Sequence, residues 1–143
     1  KMREAGYRTH ATGKWDAGMA TWDHTPMGRG YETWFGYYHH ANDYWTQEAT
    51  STGLPACGRL VDLWNTTGPA RDRNGTAYEE EMFTANTLNI IDGHNPAEPL
   101  FLFHAFHQIH TPLQVPEEWE NRFSFLKNPV QRKYAAMVSY MDH

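Results

Sequence analysis

Apolar positions in this chain change their period from segment to segment, and the changes mark its elements. Between Thr76 and Gly93, the residues Tyr78, Met82, Ala85, Leu88 and Ile91 recur at intervals of three or four, which lines one face of an α-helix. Thr76-Ala77-Tyr78-Glu79 has the form of a capping box, so the helix is expected to start there, with Gly93 available to end it. After a proline-containing turn, Pro99-Leu100-Phe101-Leu102-Phe103-His104-Ala105-Phe106 is almost continuously apolar, as suits a strand covered on both faces in a parallel sheet. Asn128 and Pro129 are good N-cap and first-turn residues for a second amphipathic helix, marked by Val130, Tyr134, Met137 and Met141.

Nearer the start, Lys1 to Gly6 reads as the end of a helix stopped by glycine, and Tyr7 to Thr12 as a short strand running into Gly13-Lys14-Trp15. From Asp16 to about Pro55 no period is sustained, and the segment is expected to be long irregular structure over a scaffold. Leu60 to Trp64 reads as a further short strand. The order helix, strand, loop occurs twice, which predicts an α/β fold. Neither end carries a cap or terminator, so residues 1–143 are expected to be an internal segment of one larger domain, truncated at both ends.

Composition narrows the function classes. With 40% hydrophobic and 20% charged residues the chain can bury a core. Its net charge of −5, with twelve scattered Lys and Arg, gives no basic stripe for nucleic acid. No apolar run is long enough to cross a bilayer. Asn65-Thr66-Thr67 and Asn74-Gly75-Thr76 are N-glycosylation acceptors, so Asn65 and Asn74 are expected to carry glycans in a protein of the secretory pathway, lysosomal or extracellular. The single cysteine, Cys57, has no partner within the chain.

In an open α/β sheet, ligands bind beyond the carboxyl ends of the strands. One such end carries Lys14 and Asp16, the other His107 and His110. If the strands are neighbours, a fixed ammonium and an imidazole share a pocket suited to a tetrahedral anion with a leaving oxygen to protonate. The alternative leaves Lys14 in solvent and His110 bonded to backbone near Pro112. His104, His107 and His110 have the form H-x-x-H-x-x-H, but strand side chains alternate and place His104 and His107 on opposite faces, so no metal site is assigned.

Gly6-Tyr7-Arg8-Thr9-His10-Ala11-Thr12-Gly13-Lys14-Trp15 resembles the second signature of the sulfatase family, and His110-Thr111-Pro112-Leu113-Gln114-Val115-Pro116-Glu117-Glu118 resembles the H-x-P-L-Q-V-P-E-E segment of arylsulfatases, especially the arylsulfatase B branch. Phe35-Gly36-Tyr37, Pro99-Leu100-Phe101-Leu102 and Tyr134 to Asp142 extend the likeness in the same order. The resemblance implies an alkaline-phosphatase-like sulfatase fold, of which this chain is the central part of a mixed sheet flanked by helices. It also implies hydrolysis of sulfate esters, of aryl alcohols or glycans, by a formylglycine nucleophile with a calcium ion on the sulfate oxygens. The nucleophile motif C-x-P-x-R and the acidic and asparagine calcium ligands are absent from these residues, Cys57 is not in that motif, and the chain alone is expected to be inactive.

By the same resemblance Lys14 contacts the sulfate, and His110 sits by the bridging oxygen, where it helps protonate the departing alcohol. Asp16 is the departure: the family has histidine here, bonded to the formylglycine. A carboxylate beside a sulfate ester repels it by about 4 kcal/mol at 4 Å and an effective dielectric of 20, which Lys14 and calcium must offset. One reading makes Asp16 the base, with His24 or His10 as donors; the other has it turn away into a salt bridge. Two further alternatives stay open, a phosphoesterase of the same superfamily and an inactive sulfatase-like protein that binds glycans through aromatics such as Trp22, Trp34, Tyr38 and Trp45.

Overall fold

Strand β1 (Arg8–Lys14) is the axis of the structure. It pairs in parallel with β2 (Thr33–Tyr37) on one side and β5 (Leu100–Ala105) on the other. Two short antiparallel strands, β3 (Trp64–Asn65) and β4 (Gly68–Pro69), extend the sheet beyond β2, in the order β4-β3-β2-β1-β5. Helices α1 (Glu79–Gly93), α2 (Glu117–Asn121) and α3 (Pro129–Met141) complete it, with single 3-10 turns at Arg3–Ala5 and Trp22–His24. This computed structural model describes residues 1–50 and 59–143; Cys57 and Pro55 lie outside the described residues.

The predicted α/β alternation is present, and several elements are where the pattern put them. Gly6 closes the first turn at φ 87°, in the left-handed region that glycine enters without steric cost. Asn128 accepts hydrogen bonds from the backbone N–H of Val130 and Gln131, and Pro129 follows as the first helical residue of α3.

Other expectations need correction. Thr76 is not the cap of α1: its hydroxyl donates to Arg73 O, and the helix begins three residues later with Tyr78 at the N-cap. Gly93 is the last helical residue and His94, in extended conformation, the C-cap, so no left-handed glycine ends the helix. The buried part of α1 is Glu79, Glu80, Met82 and Phe83, whereas Leu88 and Ile91 are about half exposed. Strand β5 is only partly covered, with Phe103 exposed. Inside the stretch expected to be irregular lies β2, whose last four residues are all buried. The Leu60–Trp64 run supplies only a bridge at Val61 and the first residue of β3.

Two apolar clusters hold the layers together. Phe35 and Tyr37 of β2 pack with Leu63, Ala70 and, from α1, Met82 and Phe83. Tyr44, Tyr78, Val115, Trp119, Ala136 and Met137 join α2 and α3 to the loops after β2 and β5. Each large apolar side chain among them contributes about 1.5–3 kcal/mol by leaving water. A polar tie fixes α1 across the sheet, where Asn86 Nδ2 donates to Thr12 Oγ1 at 2.7 Å.

Near their ends the three parallel strands pass through a row of two glycines and an alanine. Gly13 is paired with Gly36 of β2 and Ala105 of β5. A Cβ on Gly13 would lie 1.9 Å from Ala105 O, and one on Gly36 would lie 1.9 Å from Gly13 O. Trp34 Nε1 donates to that same Gly13 carbonyl at 3.1 Å. Only glycine permits this approach, and it sets the spacing of the loops that follow.

Candidate active site

Lys14 is the last residue of β1, level with Tyr37 at the end of β2. The pairing continues past the strand, because Trp15 N donates to Tyr37 O at 2.9 Å and Asp16 N to Tyr38 O at 3.2 Å. Asp16 then enters the left-handed region at φ 46°, which few residues other than glycine, asparagine and aspartate tolerate. In that conformation its carboxylate lies between Lys14 Nζ at 3.4 Å and His40 Nδ1 at 2.9 Å. Partial burial pushes the Asp16 carboxyl up, but the hydrogen bond from His40 and the Lys14 charge outweigh it, and the net shift is below the usual carboxylate value.

His110 lies on the loop after β5. Its Nδ1 is 2.8 Å from the carbonyl oxygen of Thr111, which can only accept, so Nδ1 carries a proton and Nε2 is left for the site. Tyr44 holds the same loop, its hydroxyl donating to His110 O at 3.1 Å. His110 and His40 line one groove of about 350 Å³ with Ala41, Thr50, Thr111 and Pro112. A larger hollow of about 640 Å³ lies between α1 and the end of α3, and none of Lys14, Asp16, His40 or His110 reaches it.

Beneath the groove, His107 is buried and stacked on Tyr44, with ring centres 4.0 Å apart and 8° from parallel. Its Nδ1 is 2.6 Å from Glu79 Oε2. Glu80 Oε1 accepts from the backbone N–H of both His107 and Gln108 at 2.8 Å. Burial pushes Glu79 well up and brings Glu80 to about 7 despite those two donors. Burial, aided by the charges of His110 and Lys14, brings His107 down to about 3. Burial thus disfavours charge on both partners of the Glu79–His107 contact.

Both bland outcomes foreseen for this region occur in part. His110 does bond to backbone beside Pro112, but Lys14 is paired with Asp16 and not merely solvated. Asp16 takes the salt-bridged alternative. Neither expected donor meets it: His10 Nδ1 is bonded to Thr33 Oγ1, toward the other end of β1, and His24 Nδ1 to Thr21 Oγ1. His40 is the residue that sequence reasoning missed. The signal was the β-branched and aromatic run Thr33-Trp34-Phe35-Gly36-Tyr37, which makes His40 part of a strand-end loop.

Among the four aromatics considered for sugar stacking, Trp34 is buried and Tyr38 packs on it, while Trp22 and Trp45 are exposed. Asn65 is exposed in β3, and Asn74 is half-buried with its side-chain amide donating to Thr46 O. Among the described residues no three His, Cys, Asp or Glu side chains converge on a point able to hold a metal ion.

The chain matches the sulfatase family model over residues 2–143. It is 36% identical over 143 residues to Arylsulfatase J of Mus musculus, covering 99% of this chain and 23% of that protein. It is 30% identical over 142 residues to an arylsulfatase of Klebsiella aerogenes, covering 94% and 28%. The chain thus spans about a quarter of the length of these curated relatives. The crystal structure of Ps i-CgsB in complex with k-i-k-neocarrahexaose superposes with a TM-score of 0.82 at 27% identity, over 99% of this chain and 32% of that one. The mixed sheet, its helices and the strand-end loops are those of a sulfatase domain, and the chain belongs to the sulfatase family.

Proposed function

We propose that this chain supplies the sulfate-binding and proton-handling side of a sulfuric ester hydrolase active site. The observation that carries the reading is the placement of Lys14 and His110 beyond the carboxyl ends of adjacent parallel strands. Lys14 is the sulfate contact: the Asp16 carboxylate takes one direction of its ammonium, and the remaining protons are free to meet nonbridging oxygens. His110, with Nδ1 fixed on a carbonyl, presents Nε2 to the bridging oxygen of the ester and protonates the departing alcohol. Asp16 belongs to the same site and holds Lys14 in place.

The described residues do not make a calcium site, so no step is routed through that ion. In this reading calcium and the formylglycine nucleophile come from residues outside these 143, where calcium would neutralise sulfate oxygens. The substrate class is a sulfated small molecule or glycan; the complex of the structural relative with k-i-k-neocarrahexaose supports the glycan. The sequons at Asn65 and Asn74 support a glycoprotein of the secretory pathway, lysosomal or extracellular, and no described helix is long and apolar enough to span a membrane.

The test compares 4-nitrophenyl sulfate with 4-nitrophenyl phosphate, using the full-length protein that carries this segment. Preferential sulfate turnover that is lost in Lys14→Ala supports the reading. Preference for phosphate points to the phosphoesterase alternative, and sulfated-glycan binding without turnover points to the inactive one.

A further inference from the structure

Asp16 is poorly placed to be a base. Its carboxylate oxygens already accept from His40 Nδ1, at 2.9 and 3.0 Å, and contact Lys14 Nζ at 3.4 Å. These partners hold its pKa below the ordinary value, and a proton acceptor of such low basicity is inefficient near neutral pH. Meanwhile the bond to Asp16 fixes the tautomer of His40: a neutral ring keeps its proton on Nδ1, facing the carboxylate, and leaves a lone pair on Nε2. The described residues offer that Nε2 no hydrogen bond. The side chain is 69% exposed, and it lines the groove it shares with His110.

We propose that His40 is the proton-transfer residue of this site, oriented by Asp16 and working across the groove from His110. The assignment rests on the sulfatase reading above. Two imidazoles then face one groove of about 350 Å³, each with Nδ1 anchored, one on a carboxylate and one on a carbonyl, and each with Nε2 available. Their anchors differ in charge, and so do their roles. The ring anchored on the carboxylate is assigned to take a proton, and the ring anchored on the carbonyl to give one.

The proton balance is complete with a hydroxyl-bearing oxygen nucleophile and a sulfate ester. As the nucleophile's oxygen bonds to sulfur, its proton passes to His40 Nε2. As the bond from sulfur to the ester oxygen breaks, that oxygen takes a proton from His110 Nε2, and the alcohol leaves. His40 ends protonated against Asp16, and His110 ends neutral. The charged and titratable groups around His40 are Asp16, Lys14 behind it, and His110 across the groove; the neighbouring His39 is bonded to Asp62.

The full-length protein, assayed on 4-nitrophenyl sulfate, decides the matter. His40→Ala is expected to lower kcat by about 10²-fold with little change in KM, and added imidazole restores part of the loss. Asp16→Asn lowers kcat less, because the amide oxygen can still accept from His40 Nδ1 and hold the ring. The melting temperature of His40→Ala stays near wild type, as the side chain is largely exposed. An active wild type with His40→Ala within about threefold of it, or a folded His40→Ala that imidazole does not rescue, overturns the assignment and leaves the sulfatase reading standing. A wild type without turnover overturns that reading and this assignment with it.

Discussion

His107 Nδ1 lies 2.6 Å from Glu79 Oε2, and neither side chain is exposed to solvent. One residue is at the start of α1 and the other on the loop that leads to His110, so this contact ties the helix to the site. Replacing His107 by alanine leaves Glu79 Oε2 without its partner, although Asn42 still donates to Oε1, and removes the ring that stacks on Tyr44. Destabilisation of about 3 kcal/mol is expected, read by denaturant unfolding of the full-length protein. His107→Gln, which keeps a hydrogen-bonding group, is expected to cost less than half of that.

The carboxyls buried beside His107 give stability an uncommon pH dependence. Glu80, raised from 4.5 to about 7, binds its proton more tightly folded than unfolded. Its contribution is therefore full below about 4.5 and is lost as pH rises through 7, and Glu79 acts in the same direction. His107, lowered from 6.5 to about 3, acts oppositely and favours the folded state less as pH falls through that window. Between about 4.5 and 7 Glu80 thus contributes a fall in stability with rising pH, against which His107, and with it His10 and His104, whose burial also lowers them, contribute a rise. Relative to the native protein, Glu80→Gln is expected to shift the melting temperature upward more at pH 8 than at pH 5; an equal change at both contradicts this.

Lys14 and His110 lie at the surface of the site, so their loss is expected to reduce activity and not folding. Lys14→Ala should lower kcat/KM for a sulfate ester by about 10²- to 10³-fold with an unchanged circular dichroism spectrum. His110→Ala should lose less on substrates with acidic leaving groups, such as nitrophenyl sulfate, than on alkyl sulfates that need protonation.

Gly13→Ala tests the row at the strand ends. The added methyl would meet Ala105 O at 1.9 Å, and φ there is 92°, so overlap and backbone strain add. A loss of more than about 3 kcal/mol, or failure to fold, is expected. A melting temperature within a few degrees of wild type would show that the strands part easily.

The two sequons are unequal. Asn65 is exposed, whereas the Asn74 amide donates to the backbone of Thr46. If the protein is glycosylated, Asn65→Gln is expected to remove more of the glycosidase-sensitive mass than Asn74→Gln.

Local chemistry was legible in the sequence wherever one residue type has one use. Asn128 before Pro129 has little role other than starting a helix, and Gly6 after a short turn little other than stopping it. Lys14 and His110 were readable because glycine and proline flank them in recognisable strings. Strand β2 escaped because it is buried on both faces and interrupted by Gly36, so no alternation marks it. His40 escaped with it, since its nearness to Asp16 exists only once β2 lies beside β1. The burial of Glu79 and Glu80 left no mark in the sequence, because three successive acids look solvated on a helix and the His107 and Gln108 amides that Glu80 accepts from are 27 and 28 residues away.

The row Gly36, Gly13 and Ala105 acts like a set of shims of zero thickness. Because backbone touches backbone there, the spacing of the three strands at this level is set by the main chain and not by an intervening side chain. On the reading proposed above, the walls of the groove at Ala41, Thr50 and Thr111 can change without altering the strand spacing that this row sets.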